Sequence, residues 1–498
     1  MNSQSSLVAD FRAQAAHRPN APAVLWQGRQ VTYAELLGLV RAARPAVDAA
    51  ARGPLGILAV KSPGAIALVL ACLEAGRSFL LPSPALPRAD LDALFARAGC
   101  VQVLTVDEDG APAPRDPLMA GPYVHAGADQ DEDPEWAISF MLTTSGSTGL
   151  PKVVPLTVAA VDRFTDWAHR RFDLGPGRTV LNYAPLNFDL CMLDVWATLR
   201  HGGRVVLVDA QSATRGSVLR ELIAEHKVNV VQAVPLLYEL LRSESSGNGA
   251  RLDSVRHVVT TGEAISRGCL AALPELFPWA RIYNLYGCTE TNDSFLYEIT
   301  SPEDPPARLP LGQPLPGVRA RLVDEDGLVL RGPGVGELHV STPFQTPGYL
   351  GGGPQARSKF VQDPPDDGGA VYFRSGDLVE RAADGTLTLV GRNDFQVKVR
   401  GQRINTQEVE RVLLAHEHVL EAAVVALPDP QGGNRLHGVV RSRPGDGLST
   451  LHLRRHCAER LLAAAVPSSL RITAEPLPLT STGKTDRNRI RRSVMEGN

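Results

Sequence analysis

The sequence predicts an α/β protein. A large N-terminal domain of doubly wound, parallel-type sheets carries a small β subdomain, and a small α+β domain follows it. Three observations carry this expectation. From about Pro22 to Asp209, short β-rich runs alternate with Ala/Leu-rich stretches of helical period, the pattern of strand–helix layers with parallel strands. Beyond Pro302 the texture changes to short strands separated by Pro and Gly. After Asn393-Asp394 a compact strand–helix–strand–helix pattern begins, enough for a separate unit of ~100 residues. The 498 residues hold about three compact units at ~150 residues each.

In chain order, Leu36 to Ala43 and Ile66 to Ala75 read as helices, and Ala137 to Met141 and Val153 to Leu156 as strands. Val228 to Val234 reads as a buried strand, Leu236 to Glu244 as a helix and Val255 to Thr261 as the next strand. A helix near Cys269 to Phe277 and a strand at Arg281 to Leu285 repeat the unit. Ala320 to Val323, Gly336 to Val340 and Thr386 to Val390 read as strands of the β subdomain. Past the boundary set at Asp394, giving domains of 1–393 and 394–498, the expected elements are strand Gln396 to Arg400, helix Thr406 to His416, strand Val419 to Leu427 and helix Leu451 to Ala465. No internal repeat interrupts this order.

Composition narrows the function. Lys+Arg (51) and Asp+Glu (54) nearly cancel to a net charge of −3, without a long run of either sign, which argues against a nucleic-acid or anionic-membrane surface. Aromatic residues are 5% of the chain against 44% hydrophobic in all, so the core is built mostly from Leu, Val and Ala. The six cysteines are far apart with no C-x-x-C, so reduced thiols in a cytoplasm are expected rather than disulfides or zinc. The start lacks a basic stretch followed by an apolar one, and no ~18-residue apolar run follows, so no membrane span is expected.

The most informative segment is Leu142-Thr-Thr-Ser-Gly-Ser-Thr-Gly-Leu-Pro-Lys152 between two strand-like runs. Its glycines let successive N–H groups and hydroxyls face an anion, and Lys152 adds a positive charge. It does not fit the Walker A spacing. Asp377, after a Gly turn, can accept both hydroxyls of a ribose or remain a solvated turn carboxylate. Glu290 can supply a hard oxygen to Mg²⁺ beside nucleotide phosphates while Thr289 donates to a phosphate oxygen. Tyr286 offers a flat face for a purine, although an aromatic closing a strand commonly packs in a core.

The run Thr144, Ser145, Gly146, Ser147, Thr148, Gly149 to Lys152 resembles the phosphate loop, T-S-G-S-T-G-x-P-K, of the adenylate-forming enzymes, in particular the amino-acid adenylation domains of nonribosomal peptide synthesis. Four further segments resemble that family in the same order: Asn284-Leu-Tyr-Gly-Cys-Thr-Glu-Thr291, Tyr372-Phe-Arg-Ser-Gly-Asp377, Gly391-Arg-Asn-Asp-Phe-Gln-Val-Lys-Val-Arg-Gly-Gln-Arg403 and Leu479-Thr-Ser-Thr-Gly-Lys-Thr-Asp-Arg487. Ser375 and Cys288 replace the family's usual Thr and Pro, and Gly336 to Leu350 lacks its G-x-x-x-A-R-G wording.

The resemblance implies ATP and Mg²⁺ as cofactors and a two-step ligase. A carboxylate attacks the α-phosphorus of ATP and releases pyrophosphate; a thiol then attacks the acyl-adenylate. It implies Lys484, Glu290 and Lys152 as catalytic groups, with Glu290 on the metal. The nucleotide would meet Asn284, Tyr286, Gly287, Thr289, Asp377 and Arg392 as well as the phosphate loop. Asp394 becomes a hinge about which the small domain rotates, and Gly401 and its neighbours line a thiol tunnel.

The same resemblance sets Asp189 against a substrate α-ammonium, with Leu190, Leu193, Gln232, Val259, Thr261, Leu285, Asp293, Ser294 and Lys484 completing the pocket. Asp189 can instead cap the following helix; Asp194 is the alternative pocket acid, but it falls in that helix and is expected to turn away. Three leucines favour a compact side chain, and Phe188 to Asp194 and Gly287 to Asp293 resemble free-standing ligases that load proline. L-proline is the leading substrate; Gln232, Asp293 and Ser294 argue for a polar one. The alternatives are D-alanine or another small amino acid, an acyl- or aryl-CoA ligase, and a nucleotide-binding regulator without chemistry. The last motif ends 11 residues before the C-terminus (498 − 487), so the acceptor is expected to be a separate phosphopantetheinylated carrier protein, the alternative being that the chain was cut from a larger synthetase.

Overall fold

The computed structural model describes residues 5–106, 112–114, 137–144, 151–243, 251–306, 308–351, 353–363, 369–393, 395–429, 433–443, 447–478 and 485–496. The alternating N-terminal segments form two sheets. In the larger, nine strands run in the order Gln313–Pro314, Asn292–Ile299, Arg281–Cys288, His257–Thr261, Val230–Ala233, Thr179–Asn182, Arg204–Leu207, Pro22–Trp26 and Arg29–Thr32. Its six inner strands, from Arg281–Cys288 to Pro22–Trp26, are mutually parallel, and antiparallel strands close both edges. The second sheet has six strands, ending in the antiparallel pair Ile138–Thr144 and Lys152–Thr157.

Local chemistry fixes the helices between these strands. Thr32 and Glu35 form a reciprocal capping box at the start of Tyr33–Ala49. Ser62 caps Pro63–Glu74, whose first residue is the proline that tolerates that position. That helix is buried on nearly all sides, Pro63 to Leu73, as a helix must be when sheets or helices cover every face. One continuous core joins both sheets through it. A second core, under the helices Gly216–Glu225, Pro235–Ser243 and Arg267–Leu276, covers the opposite face of the nine-stranded sheet. The sheet is doubly wound, as expected.

Beyond residue 302 the chain forms a five-stranded sheet, antiparallel throughout, from Arg319–Val323, Gly334–Ser341, Phe360–Gln362, Val371–Arg381 and Leu387–Arg392. A two-stranded ribbon, Gln396–Val399 and Gln402–Asn405, leads into a unit with its own core, where Glu421–Pro428, Asn434–Arg441 and Ser469–Thr473 form a sheet under Thr406–Leu414 and Thr450–Ala458. Asp394 lies outside the described residues.

Two expected elements differ. The strand at Arg281 runs on to Cys288 and turns back at once into Asn292–Ile299, so Glu290 sits at a hairpin tip rather than in an open loop. Its tightness depends on Gly287, where a Cβ would stand 2.4 Å from the Asn292 carbonyl. The helix expected over Leu451 to Ala465 stops at Ala458; of its residues only Leu453 and Cys457 are buried, so little apolar surface holds a longer helix. Among the described residues no helix is long and apolar enough to cross a membrane, and all six cysteines are free.

Candidate active site

A cavity of about 900 Å³ opens between the nine-stranded sheet and the C-terminal ribbon. Asp189, Leu190, Gln232, Thr261, Gly287, Thr289, Asp293 and Thr144 line it. Leu193, Val259, Leu285 and Ser294 are fully buried behind its wall. Asp189 ends the loop before a π-helical turn, Met192–Ala197, an irregularity that recurs at functional sites because the extra residue re-aims its neighbours.

Of the carboxylates that line this cavity, Asp189 and Asp293 lie beside Gln232, Gly287 and Thr289 in its lining. Burial pushes Asp189 up, with the Glu290 charge adding to the rise and the Thr289 hydroxyl, Lys398 and the Leu190 backbone opposing it. Asp293 is pushed well above the carboxylate range by burial and by the Asp189 charge, with Lys398 opposing. A third carboxylate, Asp194, is wholly buried, and it accepts from Asn182 Nδ2 at 3.3 Å and Gln232 Nε2 at 3.0 Å. Gln232 also donates to the Leu190 carbonyl at 3.0 Å, so its amide N–H groups are committed to the cavity wall.

The phosphate-loop residues Ser145, Gly146, Ser147, Thr148 and Gly149 lie outside the described residues, as does Lys484. The ends of that loop are placed: Thr144 and Lys152 are register partners on adjacent antiparallel strands, and Lys152 Nζ stands 4.6 Å from the Tyr349 ring centroid. The two strands that flank the segment, Ile138–Thr144 and Lys152–Thr157, are thus antiparallel neighbours.

Asp377, Arg392 and Tyr286 form one cluster. Asp377 and Arg392 are cross-strand partners, which puts the guanidinium against the carboxylate as an ion pair. The Tyr286 hydroxyl donates to the other Asp377 oxygen at 2.5 Å, while its ring packs edge-on against Phe295 at an interplanar angle of 64°, centroids 6.0 Å apart. Asn284 faces elsewhere and donates to the Pro310 carbonyl at 3.0 Å.

Glu290 is 1% exposed. Its oxygens accept from Tyr349 at 2.6 Å and from Arg403 at 3.0 Å each. Burial pushes this carboxyl up, and the Arg403 charge and Tyr349 hydroxyl outweigh it to hold it below the ordinary value. No group of three or more His, Cys, Asp or Glu gathers among the described residues. One hard-oxygen ligand fits Mg²⁺ held jointly by a carboxylate and nucleotide phosphates, and not an all-protein cage.

Several residues here carried no expectation. Lys61 donates to the carbonyls of Asn182, Tyr183 and Ala184 at 3.0–3.1 Å and is pushed down to about 8 by burial, with Cys191, Asp194 and Asp209 opposing. Glu263 accepts the Gly401 N–H. Tyr349, Lys398 and Arg403 reach the site from distant segments. The glycine turn in Lys398-Val-Arg-Gly-Gln-Arg403, which makes Lys398 and Arg403 cross-strand partners on one face of the ribbon, was the one available signal.

The model of the family described as AMP-binding enzyme matches residues 11–350, and that of its C-terminal domain matches 408–484. The chain is similar to an L-proline--[L-prolyl-carrier protein] ligase of Pseudomonas fluorescens, 32% identical over 76% of this chain and 74% of the relative. It is also similar to tyrocidine synthase 3 of Brevibacillus parabrevis, 29% identical over 95% of this chain, and it spans only 7% of that protein's length. Among solved structures, holo-PA1221, an NRPS protein containing adenylation and PCP domains, superposes with a TM-score of 0.80 at 25% identity, covering 99% of this chain and 85% of that one. A match across both the large and the C-terminal segments makes this chain a member of the AMP-binding enzymes, the adenylate-forming ligases.

Proposed function

We propose that the chain activates the carboxylate of an α-amino acid as aminoacyl-AMP and passes the acyl group to the phosphopantetheine thiol of a separate carrier protein, with L-proline as the leading substrate. Asp189 carries the reading. A carboxylate lining a buried cavity costs free energy unless a cation meets it, and an α-ammonium is that cation. Plain acyl and aryl acids bring none.

In the first step a substrate carboxylate oxygen bonds to the α-phosphorus of ATP and the bond to the bridging oxygen breaks, releasing pyrophosphate. Lys152 and the phosphate-loop N–H groups neutralise the phosphates, and Lys484 the charge between the reacting groups. Glu290 would hold Mg²⁺ together with the phosphates, and the metal would supply Lewis-acid charge there. The Asp377 carboxylate accepts the ribose hydroxyls after exchanging its Tyr286 partner, with Arg392 alongside. In the second step the small domain has turned about Asp394; the thiol sulfur, entering past Gly401, bonds to the acyl carbon, AMP leaves with the phosphate oxygen, and the thiol proton passes to solvent.

Leu190 in the cavity wall and the similarity to a prolyl ligase favour proline. Asp293 favours a second reading, a side chain bearing an ammonium or hydroxyl, because its carboxylate lines the cavity with no hydrogen-bonded partner among the described residues. Amino-acid-dependent ATP–pyrophosphate exchange tests both with L-proline, D-alanine, L-ornithine, L-serine and simple carboxylic acids. Exchange with proline, unharmed in Asp293→Val, supports the first reading. Exchange with ornithine or serine, lost in that variant, replaces proline by the second. Exchange with plain acids alone rejects the amino-acid reading.

A further inference from the structure

We infer that Glu337 and the Ser375 hydroxyl are positioning groups: together they hold a bulge in the strand Val371–Arg381 that aims the Asp377 carboxylate at the ribose of the nucleotide. The inference rests on the reading that Asp377 accepts the ribose hydroxyls. It names what sets that carboxylate in place.

Strand pairing breaks at this point. Gly334–Ser341 and Val371–Arg381 run antiparallel, with His339 opposite Arg374 and Glu337 opposite Leu378. Between those two pairs one strand has Leu338 alone, and the other has Ser375, Gly376 and Asp377. The surplus residues cannot all join the ladder, so the strand bends and some of its backbone groups lose their cross-strand partners. Gly376 takes φ +78° there, a left-handed conformation that glycine adopts without strain. Buried N–H groups in such a place need other acceptors, and two side chains supply them. The Gly376 N–H donates to Glu337 Oε1 at 3.1 Å. The Asp377 N–H donates to Ser375 Oγ at 3.0 Å, and that hydroxyl donates in turn to the Leu338 carbonyl at 2.7 Å.

Glu337 is a buried anion. Its other oxygen accepts from Arg374 at 3.1 Å, with His339 Nε2 at 3.9 Å. Burial pushes this carboxyl up, and His339 and Arg374 outweigh burial and hold it down at about 2, so it stays ionised across the neutral range. A buried carboxylate is costly, and an ordinary turn needs none. Here it fixes the backbone from which Asp377 projects. Arg392 closes the arrangement from the next strand: its guanidinium pairs with the Asp377 carboxylate and donates to the Ser375 carbonyl at 2.9 Å. Asp377 is thus held through its backbone by Glu337 and Ser375, and through its side chain by Arg392. A ligand-contacting group moved by ~1 Å costs on the order of a hundredfold, so the bulge must be rigid for the ribose contact to count.

The test isolates the ribose hydroxyls. Calorimetric binding of ATP and of 2′,3′-dideoxy-ATP to the full chain, with Mg²⁺ and without amino acid, gives a ratio of dissociation constants that reports those hydroxyls alone. A site built to hydrogen-bond hydroxyls rejects the analogue that lacks them, and the wild type is expected to favour ATP by roughly thirtyfold or more. In Glu337→Met, which keeps the length and loses both acceptors, the ratio is expected to fall to about threefold or less through weaker ATP binding, with the dideoxy analogue bound as by the wild type. Glu337→Gln keeps one oxygen for the Gly376 N–H and is expected to recover part of the ratio. Ser375→Ala removes a single oxygen and is expected to lower the ratio likewise, which keeps the inference testable should Glu337→Met not fold. Equal weakening of both nucleotides in these variants, the mark of a merely structural role, overturns the inference. A wild-type ratio near one, or a ratio that survives Asp377→Ala, rejects the ribose role of Asp377 and the inference with it. A ratio lost in Asp377→Ala and kept in Glu337→Met or Ser375→Ala rejects the positioning alone.

Discussion

Asp189 is where residue chemistry speaks most directly. Removing one partner of a buried ion pair costs about 3–5 kcal/mol, and each 1.4 kcal/mol is about tenfold in binding. Asp189→Ala is therefore expected to raise the amino-acid KM in pyrophosphate exchange by roughly a hundredfold or more while the KM for ATP changes little. An unchanged amino-acid KM would remove the ammonium-pairing role. Because burial holds this carboxyl above its ordinary value, the group must lose its proton before it can pair with ammonium. The amino-acid KM is accordingly expected to rise as pH falls through that raised value, and Asp189→Asn to flatten the profile.

Two elements control how the halves meet. At the ribbon turn, Gly401 has φ +79° and a Cβ there would stand 2.7 Å from Val234 Cγ1, so alanine meets both a left-handed backbone and a neighbour. Gly401→Ala is expected to keep exchange near wild type while slowing acyl transfer to a carrier by roughly ten- to a hundredfold, since only ribbon docking needs that approach. Equal loss of both activities would point to general damage. In the first turn of Thr406–Leu414, Glu408 is pushed up to about 7 by burial, with Asp90 adding to the rise and Arg411 opposing. Between pH 4.5 and about 7 the folded chain holds a proton there that the unfolded chain has released, so stability falls as pH rises across that window. The loss is of order 1–2 kcal/mol once partial exposure is allowed for. Denaturant midpoints should fall over this range, and Glu408→Gln should flatten the slope.

At the scale of the whole molecule, the two N-terminal sheets share one core while the C-terminal unit has its own, and polar contacts of the ribbon reach across to the cavity. Cys72, Cys191 and Cys269 lie in the large cores and Cys457 in the C-terminal one, with burial pushing Cys72 and Cys269 up to about 12 and Cys457 to about 11. A thiol reacts as its thiolate and only where reagent reaches it. Alkylation at pH 8 is expected to leave these four intact until denaturant opens each core, and Cys457 should become reactive at a lower denaturant concentration than the other three if the smaller core opens first. Simultaneous exposure of all four would show one cooperative unit.

What the sequence determined by itself was whatever local chemistry and short spacing encode. The strand–helix alternation from Pro22 and the glycine-rich segment ending at Lys152 were legible because period and turn residues act within a few positions of one another, and the five ordered motifs because short runs of sequence resemble those of a known family. Glu290 and Asp377 could be singled out from the turns they follow, whereas Asp189 and Arg392 came from the resemblance alone. Only the tertiary structure decided which of these groups meet. That Asp377 faces Arg392 depends on strand register, and that Gln232 is spent on Leu190 and Asp194 depends on two segments some forty residues apart. Lys61 against the carbonyls of 182–184, and Arg403 upon Glu290 across 113 residues, left no local trace at all. A buried charge is settled by whichever partner the packed chain brings to it, and that partner is a property of the fold rather than of the neighbouring sequence.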